Sequence, residues 1–139
     1  MNDTTDQFTD ALRDLLKDQC TLRHVRDIEA GGPASSLWDA LESSGFADAL
    51  LPESQGGAGL SLADAFALFE LCGSFALPVP LAETMVARAF LADAGVKPPP
   101  GSIALAKRPT RAMMSGVWRW KRAECACVER MVTIVFGCK

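Results

Sequence analysis

The sequence predicts an all-α domain over residues 1–106, followed by a tail of different character. Apolar residues recur at helical spacing in a series of short segments, and Gly or Pro closes nearly every segment. The charge also changes sign near residue 107: six Lys/Arg stand against fifteen Asp/Glu before it, giving -9, and eight against two from there on, giving +6. A chain of 139 residues, 49% hydrophobic and 22% charged, has the composition of one folded domain and not of a disordered polymer.

The first element is expected over residues 5–20, where Thr4 and Gln7 have the spacing of a capping box and Phe8, Leu12, Leu15, Leu16 and Cys20 follow on one face. A weaker helical stretch covers Leu22 to Ala30 and is broken by Gly31-Gly32-Pro33. Ser36 and Asp39 suggest a second capping box for a helix carrying Leu37, Trp38 and Leu41, with Gly45 where a left-handed cap is wanted. Phe46 to Leu51 is short and apolar and stops at Pro52.

PESQGGAGL, from Pro52 to Leu60, reads as a loop, because three glycines in four residues suit neither a helix nor a strand interior. Ser61 and Asp64 repeat the capping-box signature. The helix they open, Leu62 to Cys72, is apolar almost all round, so it is expected to be buried at the centre of the core and to end at Gly73. Pro78 and Pro80 punctuate the next connection. Leu81 to Ala94 then forms a helix with Met85, Val86, Ala89, Phe90 and Leu91 on one side, closed by Gly95 and Pro98-Pro99-Pro100. Ile103 to Ala106 could open a strand, and Val132 to Phe136 has strand propensity.

The chemistry-bearing residues are sparse. The glycine-rich run matches neither GxGxxG nor GxxxxGK[ST], so a structural loop is preferred over a phosphate cradle. His24 lacks a second ligand or a nucleophile at useful spacing and reads as a surface histidine. Glu70 reads as the exposed edge of its helix and not as a buried base. Cys125, Cys127 and Cys138 supply three thiols but no fourth donor for zinc. Trp118-Arg119-Trp120-Lys121-Arg122 has a composition that could stack on bases, but it is short and isolated, so nucleic acid is disfavoured. With five irregularly spaced cysteines, an acidic N-terminus and no apolar run near the roughly 18 residues of a membrane span, a cytoplasmic protein is expected.

GFADALLPESQGGAGLSLADAFALFELCGSFALPVPLAETMVARAFLADAG, from Gly45 to Gly95, resembles the N-terminal helical domain of acyl-CoA dehydrogenases. Phe46, Pro52, Glu53, Gly56, Gly57, Gly59 and Leu60 match that family's glycine loop, and Gly73, Pro78 and Pro80 match its proline turn. With looser agreement the resemblance covers residues 5–106. It implies an orthogonal helical domain of roughly four to six helices. It also implies α,β-dehydrogenation of acyl-CoA thioesters by an FAD-dependent oxidoreductase in the intact family, where later domains supply the catalytic glutamate, most FAD contacts and the dimer interface.

This chain is accordingly expected to be a truncated member, to hold no catalytic residue or FAD alone, and to be inactive alone. From the same resemblance, Pro80, Leu81, Glu83 and Thr84 are the expected lining of the acyl pocket. Expected partners are acyl-CoA in the intact family, and a separately encoded remainder of the enzyme or a second copy of the chain. The basic residues 107–139 do not resemble the β-domain that would follow, which suggests a shift of reading frame near residue 107. The alternative function is a small helical interaction module with a basic tail for nucleic acid or an acidic protein.

Overall fold

The computed structural model describes residues 3–106 and 133–136. Among these residues five α-helices follow one another: α1 (Asp3–Gln19), α2 (Leu22–Glu29), α3 (Ser35–Ser43), α4 (Phe66–Ser74) and α5 (Leu81–Asp93). Two 3-10 turns, Phe46–Asp48 and Glu53–Gln55, bracket the short apolar segment between α3 and α4. Strand β1 (Ile103–Ala106) pairs antiparallel with β2 (Thr133–Phe136), Ile103 opposite Phe136 and Ala106 opposite Thr133. The domain is all-helical apart from this ribbon, as the periodicity predicts.

Local chemistry accounts for some helix ends. Thr21 accepts the His24 N–H at 3.3 Å and starts α2, a cap that the sequence pattern does not single out. The box expected from Ser36 and Asp39 does not form: α3 begins a residue earlier, after Ala34, which provides no side-chain cap. Helix α1 begins at Asp3, so Thr4 lies within it. Ser61 and Asp64 do bond reciprocally, Ser61 N–H to Asp64 Oδ2 at 3.3 Å and Asp64 N–H to Ser61 Oγ at 3.1 Å. The backbone then makes turns, and the regular helix α4 starts only at Phe66.

At the far end, α5 closes as expected on Gly95, whose φ of 73° lets Val96 N–H reach Leu91 O at 2.8 Å. Helix α4 does not end at Gly73. It continues to Ser74, and Ala76 takes the left-handed position at φ 46°, with Leu77 N–H on Cys72 O at 3.0 Å and Ala76 N–H on Gly73 O at 3.0 Å. Alanine thus occupies a position for which glycine is the usual residue.

The core is formed by Leu12 and Leu16 of α1, Leu37 and Leu41 of α3, Phe46, Leu68 of α4, and Leu81 and Met85 of α5, all buried. Phe8 of α1 stacks edge-on against Phe46, ring centroids 5.2 Å apart. The expectation that Leu62 to Cys72 forms the buried centre is corrected here. Only Ala65 and Leu68 are buried, whereas Leu62 is 63% and Phe66 62% exposed. An all-round apolar helix carries no information about which face turns inward. Helix α4 packs on α1 and α5 through one side, and Leu62 and Phe66 lie away from the core.

The buried face of α5 also differs from the expected one. Leu81, Thr84, Met85, Arg88 and Leu91 are buried, while Phe90 is 69% exposed and Val86 and Ala89 are half-buried. Arg88 is the reason. A cation ordinarily faces water, but the phase of Arg88 with Leu81, Thr84 and Met85 places it in the interior, where carboxylates meet it.

Candidate functional site

The glycine run folds onto itself. Gly56 N–H bonds to Glu53 O, Gly57 N–H to Pro52 O and Gly59 N–H to Leu51 O, at 3.0, 3.1 and 2.8 Å. Leu60 N–H then reaches back to Ala49 O at 3.0 Å. The donors a phosphate would need are spent on the loop's own carbonyls, so the loop is structural. Gly57 has no room for a side chain: a Cβ there would lie 2.2 Å from Leu51 O and 2.5 Å from Asp48 O.

An open groove of about 620 Å³ lies where the end of α4, the proline turn, the start of α5 and β1 converge. Phe69, Cys72 and Gly73 come from α4, Leu77 to Pro80 from the turn, Ala82 and Glu83 from α5, and Ala104 from β1. Its volume is in the usual range for small-molecule sites, and its side chains are mostly apolar, with polar surface from Glu83 and the backbone among them. The Cys72 thiol is pushed by burial up to about 11, which keeps it protonated and apolar at neutral pH. Glu83 is the ionised group of the lining, and its position in the first turn of α5 suits a negative charge.

The four residues expected to line a pocket divide into two pairs. Pro80 and Glu83 face the groove. Leu81 and Thr84 are both fully buried behind it, Leu81 in the main core. Thr84 acts as a fastener, since its Oγ1 donates to Pro80 O at 2.6 Å and accepts the Ile103 N–H at 2.9 Å. It therefore ties β1, which carries Ala104 into the groove wall, to the helix opposite.

A second tie lies one turn further along α5. Arg88, 3% exposed, donates from Nη1 to Asp48 Oδ1 at 2.7 Å and from Nη2 to Glu42 and to Gly101 O, the last at 2.9 Å. Glu42 also accepts the Gly101 N–H at 2.8 Å and the Trp38 indole N–H at 3.0 Å. Burial alone would raise the Glu42 carboxyl. The Gly101 N–H, the Arg88 guanidinium and the Trp38 indole together outweigh it and hold the carboxyl below its ordinary value. Sequence reasoning missed this cluster and Ala104. The signal available was Arg88 itself, a cation seven residues after Leu81 on the same stripe, which implies a buried anionic partner.

The remaining residues singled out from the sequence do not gather. His24 is half-buried on α2, and Glu70 lies exposed on α4, as expected. No group of three His, Cys, Asp or Glu able to hold a metal occurs among the described residues. Cys125, Cys127, Cys138 and the Trp118–Arg122 segment lie outside the described residues. Among the described residues, no helix is long and apolar enough to cross a membrane.

Fold and site together define a small helical domain with a mainly apolar groove, in which the Cys72 thiol and the Glu83 carboxylate are the described reactive side chains. Residues 2–96 match the acyl-CoA dehydrogenase N-terminal domain, and the chain belongs to that family. No curated protein and no solved structure matches it. The family implies a flavin dinucleotide, and the groove can be tested for it. A diphosphate calls for cations, whereas this lining offers no Lys or Arg and presents the Glu83 carboxylate. The described groove does not fit FAD.

Proposed function

We propose that this chain supplies one wall of the acyl pocket of an acyl-CoA dehydrogenase-type oxidoreductase, and that it is not catalytic alone. The mainly apolar groove at the proline turn supports this reading, because a saturated chain gains free energy simply by leaving water there. Pro80 and Glu83 line the groove on the α5 side, and Leu81 and Thr84 act from behind, fixing α5 and β1 in place.

The dehydrogenation of the intact family needs a base beside the α-carbon and a flavin. In this reading both belong to a partner, a separately encoded remainder of the enzyme, with a homo-oligomer as the variant. Residues 107–139 form a tail of separate origin that follows a change of reading frame, and the protein works in the cytoplasm. The change in charge at residue 107 supports the first point. The coding DNA beyond codon 106 tests it, since β-domain-like sequence in another frame is expected there.

Photolabelling of the purified full chain with a dodecanoyl-CoA carrying a diazirine at the chain end tests the groove. The expected adducts fall between Phe69 and Glu83, and labelling confined to other segments would overturn the assignment. The same preparation is expected to contain no stoichiometric flavin and to reduce no electron acceptor with dodecanoyl-CoA. Flavin retained through purification together with turnover would refute the proposed inactivity.

A further inference from the structure

The groove's charge carries a statement about which chains it accepts. Its walls are Phe69, Leu77, Pro78, Val79, Pro80 and Ala104, and the charge set among them is the Glu83 carboxylate. Among the described residues, no Lys or Arg contributes to the lining. Glu83 is exposed, and no cation of the wall neutralises it, so its field acts on whatever enters.

From this arrangement, and resting on the acyl-wall reading above, we infer that Glu83 is a specificity residue that restricts the groove to chains with an uncharged end and excludes those ending in a carboxylate. A methyl end carries no charge for Glu83 to repel. A terminal carboxylate would have to give up water beside a fixed negative charge, with no cation on the wall to compensate. Two like charges about 5 Å apart repel enough to weaken binding about fourfold even at the dielectric of water. The groove therefore suits simple aliphatic acyl chains and rejects dicarboxylic ones. Substitution of this one side chain removes the repulsive part of that penalty.

Displacement of Nile red, a neutral fluorescent probe, from the full chain measures the effect directly. Dodecan-1-ol and dodecanedioate are compared as competitors of wild type, Glu83→Gln and Glu83→Lys at low ionic strength, with circular dichroism confirming that each variant is folded. Dodecan-1-ol is expected to displace the probe equally well from all three proteins. Dodecanedioate is expected to be weaker than the alcohol on wild type, to gain about fourfold or more on Glu83→Gln, and to gain further on Glu83→Lys. Equal competition by the diacid on all three proteins would overturn the role of Glu83 and leave the groove intact. Failure of dodecan-1-ol itself to displace the probe would overturn the groove reading and this inference with it.

Discussion

Replacing Arg88 with Met removes the charge from the junction of α3, α5 and β1 while keeping a side chain of similar length. In the native fold Nη1 bonds to Asp48 Oδ1 at 2.7 Å, and Nη2 serves both Glu42 and Gly101 O. The Arg88 side chain is 4% exposed, against 26% for Glu42 and 32% for Asp48, so the cation is the deeply desolvated member. Removing one partner of a buried ion pair costs about 3–5 kcal/mol, mostly because the opposite charge is left without compensation. Here Glu42 keeps the Gly101 and Trp38 N–H groups, and Asp48 keeps partial access to water.

The lower end, about 3 kcal/mol, is therefore expected, a drop in Tm of about 12 °C or more for a unit of this size. Thermal melts followed by far-ultraviolet circular dichroism measure it. A double variant with Glu42→Gln is expected to lose much less than the sum of the two single losses, since both act on one network. A change in Tm under about 2 °C for Arg88→Met would refute the argument that this cluster holds the domain together.

Three further outcomes follow from the same structure. Gly57→Ala should destabilise by more than about 2 kcal/mol, because its Cβ would press on the Leu51 and Asp48 carbonyls; a urea midpoint unchanged from wild type would contradict the loop geometry. Ala76→Gly should stabilise by up to about 1 kcal/mol by relieving the φ of 46°, and a loss of stability would show that the turn does not need a left-handed residue there. Acid should also weaken the fold through Glu42. Its folded carboxyl titrates below the ordinary 4.5, so its contribution is complete above that value and is lost as pH falls through the lower, folded value. Melts from pH 6 to pH 2 should therefore show Glu42→Gln losing less stability than wild type in the range below about 4.5.

What can be read from the sequence is local. Gly95 marks the end of α5, and Ser61 with Asp64 marks a chain reversal into a helix, because turn and cap chemistry depends on residues a few positions apart. Gly73 misleads for the same reason. It has the chemistry of a stop, but the stop is set three residues later by how Leu77 folds back on Cys72. The facing of α4 and α5 is not legible. Leu62 and Phe66 are as apolar as Leu68, and only the positions of α1 and α5 decide which of them is covered. Placing Arg88 requires knowledge of Glu42 and Asp48, 46 and 40 residues upstream, which no periodicity links to it.

In the groove, Pro80 and Glu83 are findable through the resemblance to the family and not through any local pattern. Ala104 is not, because a small residue in a short strand gives no sign that it will face a helix roughly twenty positions earlier in the chain. The placement of Thr84 and Leu81 behind the wall follows from α5 having its inner face on Ile103 and the main core, a tertiary choice.

The double fastening of β1 has a mechanical meaning. Ile103 is clasped by Thr84 and Gly101 by Arg88 and Glu42, so the polypeptide leaves the helices along a heading dictated by α5. A loose tether would let a neighbouring unit wander. This one works like a dowel, and a tug on the strand would be felt first by the helix that borders the groove.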